Sequence, residues 1–178
     1  GIHYHLYSGN ADDVGERLDK GLLDFGILIE PFDKKKYDSL RLPVRDRWGV
    51  LMRKDSPLAG RERICPEDLL DKPLLHSRQS KVLDGIQTWF GRDLEELNIV
   101  GTYNLLYNAS LMVEEGGCYA LCLDKLINTT GDSSLCFRPL ENQVTAGMDL
   151  VWKKYQVFSK AAEKFLEAVR EQMESWDT

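Results

Sequence analysis

The chain has 178 residues, 43% of them apolar, and a formal net charge of −6. That length suffices for one large domain or two small lobes with a substantial core, and the acidity makes the chain a poor candidate for a nucleic-acid surface, since phosphate binding needs clustered Lys and Arg. Lys34-Lys35-Lys36 is the one basic run and reads as a solvated loop, and no apolar run reaches membrane length.

Residues 2–8 alternate, with Ile2, Tyr4 and Leu6 on one face and His3, His5 and Tyr7 on the other, which predicts a strand. Asn10 then reads as a helix N-cap, with Asp12 and Asp13 in the first turn and Ala11, Val14 and Leu18 as the apolar stripe. Gly21 suits the left-handed residue past a helix end. Residues 22–29 are apolar except for Asp24, the pattern of a strand covered on both faces and hence parallel. Pro31 holds Glu30 extended and ends that strand. The order strand, helix, strand predicts a right-handed βαβ unit.

Residues 32–43 are polar and read as a connector, and residues 47–52 as a strand followed by a turn at Ser56-Pro57. Pro66 opens a short helix, and residues 73–76 form a short strand. Ser80 fits the start of a helix carrying Val82, Leu83, Ile86, Trp89 and Phe90. Residues 99–104 form a strand, and the next helix buries Leu105, Ala109, Met112 and Val113. Gly116-Gly117 stops it. Strands follow at 118–123, 135–140 and 148–152, and Ser159 opens a last helix with Ala162, Phe165, Leu166, Val169 and Met173 at helical spacing. The alternation argues for an α/β fold.

No catalytic or metal motif stands out. The chain has no Gly-x-Ser-x-Gly elbow, no His-Glu-x-x-His and no Gly-x-Gly-x-x-Gly after a strand. His3 and His5 lack a third ligand and read as a solvent-facing pair. Glu114-Glu115-Gly116-Gly117 follows a helix and reads as its stop, not as a phosphate loop. Cys65, Cys118, Cys122 and Cys136 have no metal spacing. Cys118 and Cys122 share a strand and lie about 13 Å apart, too far to bond, so free thiols in a reducing cytoplasm are expected. More informative are polar groups at strand ends: Ser8-Gly9-Asn10, Ile29-Glu30, Ser77-Arg78-Gln79-Ser80 and Tyr103-Asn104. Capping accounts for each of them singly. Together they have the layout of a cleft that hydrogen-bonds a small ligand at the carboxyl ends of strands.

Five stretches carry a family signature. They are Ser8-Gly9-Asn10 with the run from Leu18 to Ile27; Trp48-Gly49-Val50-Leu51-Met52 with Ser56-Pro57-Leu58-Ala59; Glu67-Asp68-Leu69 with Pro73-Leu74-Leu75; the run from Val113 to Leu121; and Leu150-Val151-Trp152-Lys153 with Ser159-Lys160-Ala161-Ala162, Phe165 and Leu166. In this order they resemble the effector-binding domain of LysR-type transcriptional regulators over nearly the whole chain. The resemblance implies a type 2 periplasmic-binding-like fold, two Rossmann-like α/β lobes joined by two crossing segments with the effector between them. The first lobe would comprise residues 1–43 with 141–178, the second residues 44–140. Ser8, Asn10, Ile29, Ser77, Arg78 and Asn104 would contact the effector, with Glu30 and Gln79 beside them.

The resemblance further implies a cytoplasmic regulatory domain that is no enzyme and needs no cofactor or metal. It would form a homodimer or higher oligomer and touch DNA only through a winged helix-turn-helix that this sequence lacks. The sequence also lacks the family's first strand and helix of this domain, so groups from that strand's end would be missing from the ligand site. Arg78 reads either as a guanidinium gripping an effector carboxylate beside a helix N-terminus or as a surface Arg shielding the hinge. A solute-binding protein of an ABC-type uptake system shares the fold and is the rival reading.

Overall fold

The computed structural model describes residues 2–78 and 80–175. The chain divides into two compact units, Gly1–Arg45 with Gly147–Thr178, and Asp46–Ala146.

In the first unit the helix α1, Ala11–Asp19, starts where Asn10 accepts the N–H of Asp13 on its side-chain oxygen at 2.9 Å, with Asp12 and Asp13 in the first turn. Gly21 follows at φ +69°, the left-handed conformation that a residue without Cβ adopts freely. Val14 and Leu18 pack on Leu28, Tyr37 and Val151. The strand β1, Gly26–Ile29, lies so close to α1 that a Cβ on Gly26 would stand 2.9 Å from a Val14 methyl. Two long strands run through both units: β2, Tyr37–Arg53, and β7, Thr145–Lys153. β1 pairs antiparallel with β7, Leu28 opposite Asp149. The helix α4, Lys160–Glu174, is capped by Ser159 and sets Leu166 against Leu150 and Trp152, where Phe25 stacks on Phe158 at 5.0 Å.

The second unit is built on the later part of β2. Antiparallel to it run β5, Tyr119–Leu123, and β6, Leu135–Pro139, so that Gly49 faces both Cys122 and Pro139. β3, Leu74–Ser77, lies parallel to β5 and to β4, Ile99–Tyr103. The strand order is β1-β7-β2-β5-β3-β4, with β6 on β2. Between β3 and β4 runs the helix α2, Ser80–Phe90, which buries Ile86 and Phe90; between β4 and β5 runs α3, Leu106–Glu114. Leu106, Ala109 and Val113 of α3 pack on Leu51, Leu75 and Ala120. Gly49 lies where β2 and β6 approach closely: a Cβ there would lie 2.2 Å from the Phe137 ring. No helix among the described residues is long and apolar enough to cross a membrane.

Four sequence expectations differ from the structure. Residues 2–8 form no strand, and Ile2, Tyr4 and Leu6 are exposed. Alternation produces a strand only where a neighbour offers its N–H and C=O groups, and among the described residues none pairs with this segment. It instead lays the Tyr7 ring against Arg17, 4.0 Å from guanidinium to centroid. Second, β1 is antiparallel, so the expected βαβ unit is absent here. It lies at the end of the strand order, burying Gly26 and Leu28 while leaving Ile27 59% exposed. Third, the polar connector expected at 32–43 is a strand from Tyr37 onward, because its exposed polar face hides the periodicity. Fourth, α3 buries Leu106, Ala109, Ser110 and Val113, with Leu105 and Met112 exposed, since the helix begins one residue later than expected.

Candidate functional site at the ends of β3 and β4

β3 and β4 are parallel neighbours, so their carboxyl ends finish side by side. Ser77 stands opposite Tyr103 in the register, and the Arg78 N–H donates to the Tyr103 carbonyl at 2.8 Å. Three of the expected site residues, Ser77, Arg78 and Asn104, are thereby brought together within the second unit. Ser77 is buried at the last position of β3, Arg78 is exposed just beyond it, and Asn104 follows Tyr103 directly. Gln79 lies outside the described residues.

The strands that carry them are tied by a few directed bonds. The Tyr103 hydroxyl donates to the Leu121 carbonyl on β5 at 2.7 Å, and burial pushes its phenol well above the ordinary range, so it stays neutral. His76, buried on β3, sets its Nδ1 2.7 Å from the Ser77 carbonyl, a bond in which the ring nitrogen donates. Two helices start at these strand ends. α2 begins at Ser80, and α3 at Leu106 after Leu105, which supplies no side-chain cap. The Asn104 side-chain oxygen accepts the Leu105 N–H at 2.9 Å, one step short of the helix. N–H groups of the first turn of α3 thus remain without a side-chain acceptor next to Arg78, Ser77 and the Asn104 amide. This collection of donors suits a small oxygen-rich anion.

The other four expected residues belong to the first unit. Ser8 is exposed in the irregular segment. Asn10 uses its side-chain oxygen as the α1 cap. Ile29 is half-buried at the last position of β1. Glu30 is held by Arg41 and by Lys34, whose Nζ lies 2.9 Å away. The Arg41 guanidinium foremost, and the Lys34 ammonium after it, hold the Glu30 carboxyl down at about 2. Sequence reasoning missed the rest of this cluster. Asp149 is buried on β7 with an oxygen 2.9 Å from Arg41 Nε. One signal was available: Asp149 is a single acid inside the apolar run of residues 148–152, and a buried carboxylate needs a cation.

Among the described residues no group of three or more His, Cys, Asp or Glu can hold a metal ion. All four cysteines are free. Burial raises the thiols of Cys118, Cys122 and Cys136, that of Cys122 to about 12.

Comparison with known proteins gives a consistent result. A family model described as the LysR substrate binding domain matches residues 1–174. The chain is 27% identical over 169 residues to an uncharacterized HTH-type transcriptional regulator, YvbU, of Bacillus subtilis (strain 168), covering 93% of this chain and 56% of that protein. It therefore spans little more than half the length of that curated relative. Among solved structures, the effector binding domain of QuiR in complex with shikimate superposes with a TM-score of 0.78 at 14% identity, covering 94% of this chain and 79% of that one. HinK, a LysR family transcriptional regulator from Pseudomonas aeruginosa, gives 0.72 at 20% identity, covering 94% and 59%. The oxidized form of OxyR gives 0.70 at 18%, covering 97% and 82%. At such identities the likeness shows the fold, the α/β type 2 periplasmic-binding-like architecture.

Proposed function

The chain belongs to the LysR substrate binding domain family, and from that premise we propose that it is the effector-sensing regulatory part of a transcription regulator, one that binds a small anionic metabolite. The observation that carries this reading is the convergence at the ends of β3 and β4: Ser77 against Tyr103, Arg78 bonded to Tyr103 through the main chain, and α3 starting without a side-chain cap beside Asn104. Arg78 grips the effector's carboxylate, and Ser77 and Asn104 hydrogen-bond its remaining polar groups. Of the other candidates, Ser8, Asn10, Ile29 and Glu30 belong to the first unit, and Gln79 lies outside the described residues.

The protein acts in the cytoplasm as a homodimer or higher oligomer and reads DNA through a winged helix-turn-helix that is not among these residues. Support for that last point comes from the Bacillus subtilis relative, an HTH-type regulator of which this chain covers 56%. The division into two compact units supports a two-lobed reading of this kind. Membership in a family of regulators favours this reading over a solute-binding protein and over an enzyme.

A melting screen of small carboxylates on the full-length protein tests it. A ligand at 100 times its dissociation constant adds about 2.7 kcal/mol, a shift of roughly 5–11 °C at this size. The expected outcome is stabilisation by at least one carboxylate and its loss in Arg78→Ala. Stabilisation by neutral compounds alone overturns the anion reading.

A further inference from the structure

Within the second unit the chain steps outward from β3 to β4 and then returns past β3 to β5, giving the order β5-β3-β4. In open α/β sheets ligands enter at such a reversal, outside the carboxyl ends of the strands on either side of it, here β3 and β5. The pairing of these two strands stops early. β3 keeps its register with β4 as far as Ser77 opposite Tyr103, whereas its register with β5 ends at Leu75 opposite Ala120. Leu121 is the first residue of β5 beyond that last pair, and it is fully buried. Its carbonyl is taken by a side chain. The Tyr103 hydroxyl, carried by β4, reaches across β3 and donates to it at 2.7 Å.

This bond governs which kind of polar atom the strand ends offer. A main-chain carbonyl where a ladder opens is an acceptor, and it would draw an ammonium or hydroxyl group. Tyr103 satisfies it and commits its own proton in doing so. The ring is held in place by the buried cluster that includes Leu75, Leu106 and Cys122. Donors stand around it. They are the exposed Arg78 guanidinium, the Asn104 amide nitrogen, whose oxygen already accepts the Leu105 N–H at 2.9 Å, and the N–H groups of the first turn of α3.

We infer that Tyr103 is a specificity-determining residue, whose hydroxyl closes the Leu121 carbonyl and so makes the ends of β3 and β4 select carboxylates that carry no donor group of their own. The inference rests on the anion site proposed above and adds to it the rejection of amino and hydroxy acids. An ammonium or hydroxyl brought to this place meets a carbonyl that is already bonded, and it loses its water without gaining a partner. Tyr103→Phe keeps the ring and leaves the carbonyl open to a donor from the ligand.

Thermal melting of the full-length protein and of Tyr103→Phe, titrated with matched acids, tests it. The pairs are succinate against malate and aspartate, and propionate against lactate and alanine. In the wild type the plain acid of a pair should have an apparent dissociation constant about tenfold or more below that of its amino or hydroxy counterpart, and Tyr103→Phe should narrow that preference about tenfold, the weight of one neutral hydrogen bond. Should Tyr103→Phe fail to fold, Tyr103→Met removes the same donor. If no acid shifts the melting of either protein, the anion reading falls and this inference falls with it. If plain acids stabilise the wild type and the variant keeps the same preference, the anion reading stands and the role of Tyr103 is overturned. A wild-type preference for the amino or hydroxy acid overturns that role as well.

Discussion

The main-chain N–H of Arg78 is bonded to the Tyr103 carbonyl at 2.8 Å while its side chain is exposed. Main chain and guanidinium are therefore separable: the first ties β3 to β4, and the second carries the proposed ligand contact. Arg78→Ala keeps the first and removes the second. Carboxylate binding should weaken by roughly 2–5 kcal/mol, the range for one partner of a desolvated charge pair. Unliganded stability should stay within about 0.5 kcal/mol of wild type. Calorimetric titration and thermal melting of the two proteins check both numbers. A carboxylate that stabilises both equally is anchored elsewhere.

Gly49 and Gly117 make a contrasting pair. A Cβ at Gly49 would meet the Phe137 ring at 2.2 Å and the Arg138 carbonyl at 2.4 Å, whereas one at Gly117 meets nothing within 4 Å. Backbone cannot step aside as a side-chain tip can. Gly49→Ala should destabilise by about 1–3 kcal/mol or more, with Gly117→Ala near neutral. Urea unfolding of both variants gives the comparison.

Glu30 sets an acid-side prediction. Its carboxyl is held at about 2 in the folded protein, from an ordinary 4.5, first by Arg41 and then by Lys34. A folded value below the unfolded one means the ionised form stabilises the native state. That contribution is complete above pH 4.5, declines as the pH falls toward 2 and is gone below it. The stability gap between wild type and Glu30→Gln, measured by urea unfolding from pH 6 to 2, should shrink over that window. A gap that is constant or widens on acidification contradicts the ion pairs.

The thiols should be silent while the protein is folded. Cys65 is half-buried and donates to Asp68 at 3.1 Å, a bond that raises its thiol further. Cys118, Cys122 and Cys136 are buried. Thiolate is the reactive form, so a thiol reagent at pH 8 should label Cys65 slowly and the other three only on unfolding. Peptide mapping after timed labelling reads the order. Fast native labelling of Cys122 would be incompatible with a thiol near 12.

Local signals in the sequence translated well into structure. Asn10 and Ser159 cap the helices they announce, Gly21 sits in the left-handed turn, and the polar residues at 77, 78 and 104 do end strands. What stayed hidden depends on which strand lies beside which. Residues 2–8 have strand alternation and no partner among the described residues, and β1 has the apolar run of a covered parallel strand yet an antiparallel partner on β7. Arg41 and Asp149 are distant in the chain, so neither announces the other. The same holds within the candidate site: Ser77 and Asn104 were each legible as strand ends, and only the β3–β4 pairing makes them neighbours.

The interleaved chain also imposes an order on synthesis. Asp46–Ala146 is contiguous and can close on itself as soon as it has emerged. β1 must wait, because Ile29 pairs with Met148. At ~5–20 residues per second, that separation of roughly 120 residues leaves β1 without its partner for about 6–24 s on a translating ribosome. During that interval the edge of β1 that will meet β7 is open, a natural point of engagement for a chaperone and of early misassociation when expression is fast.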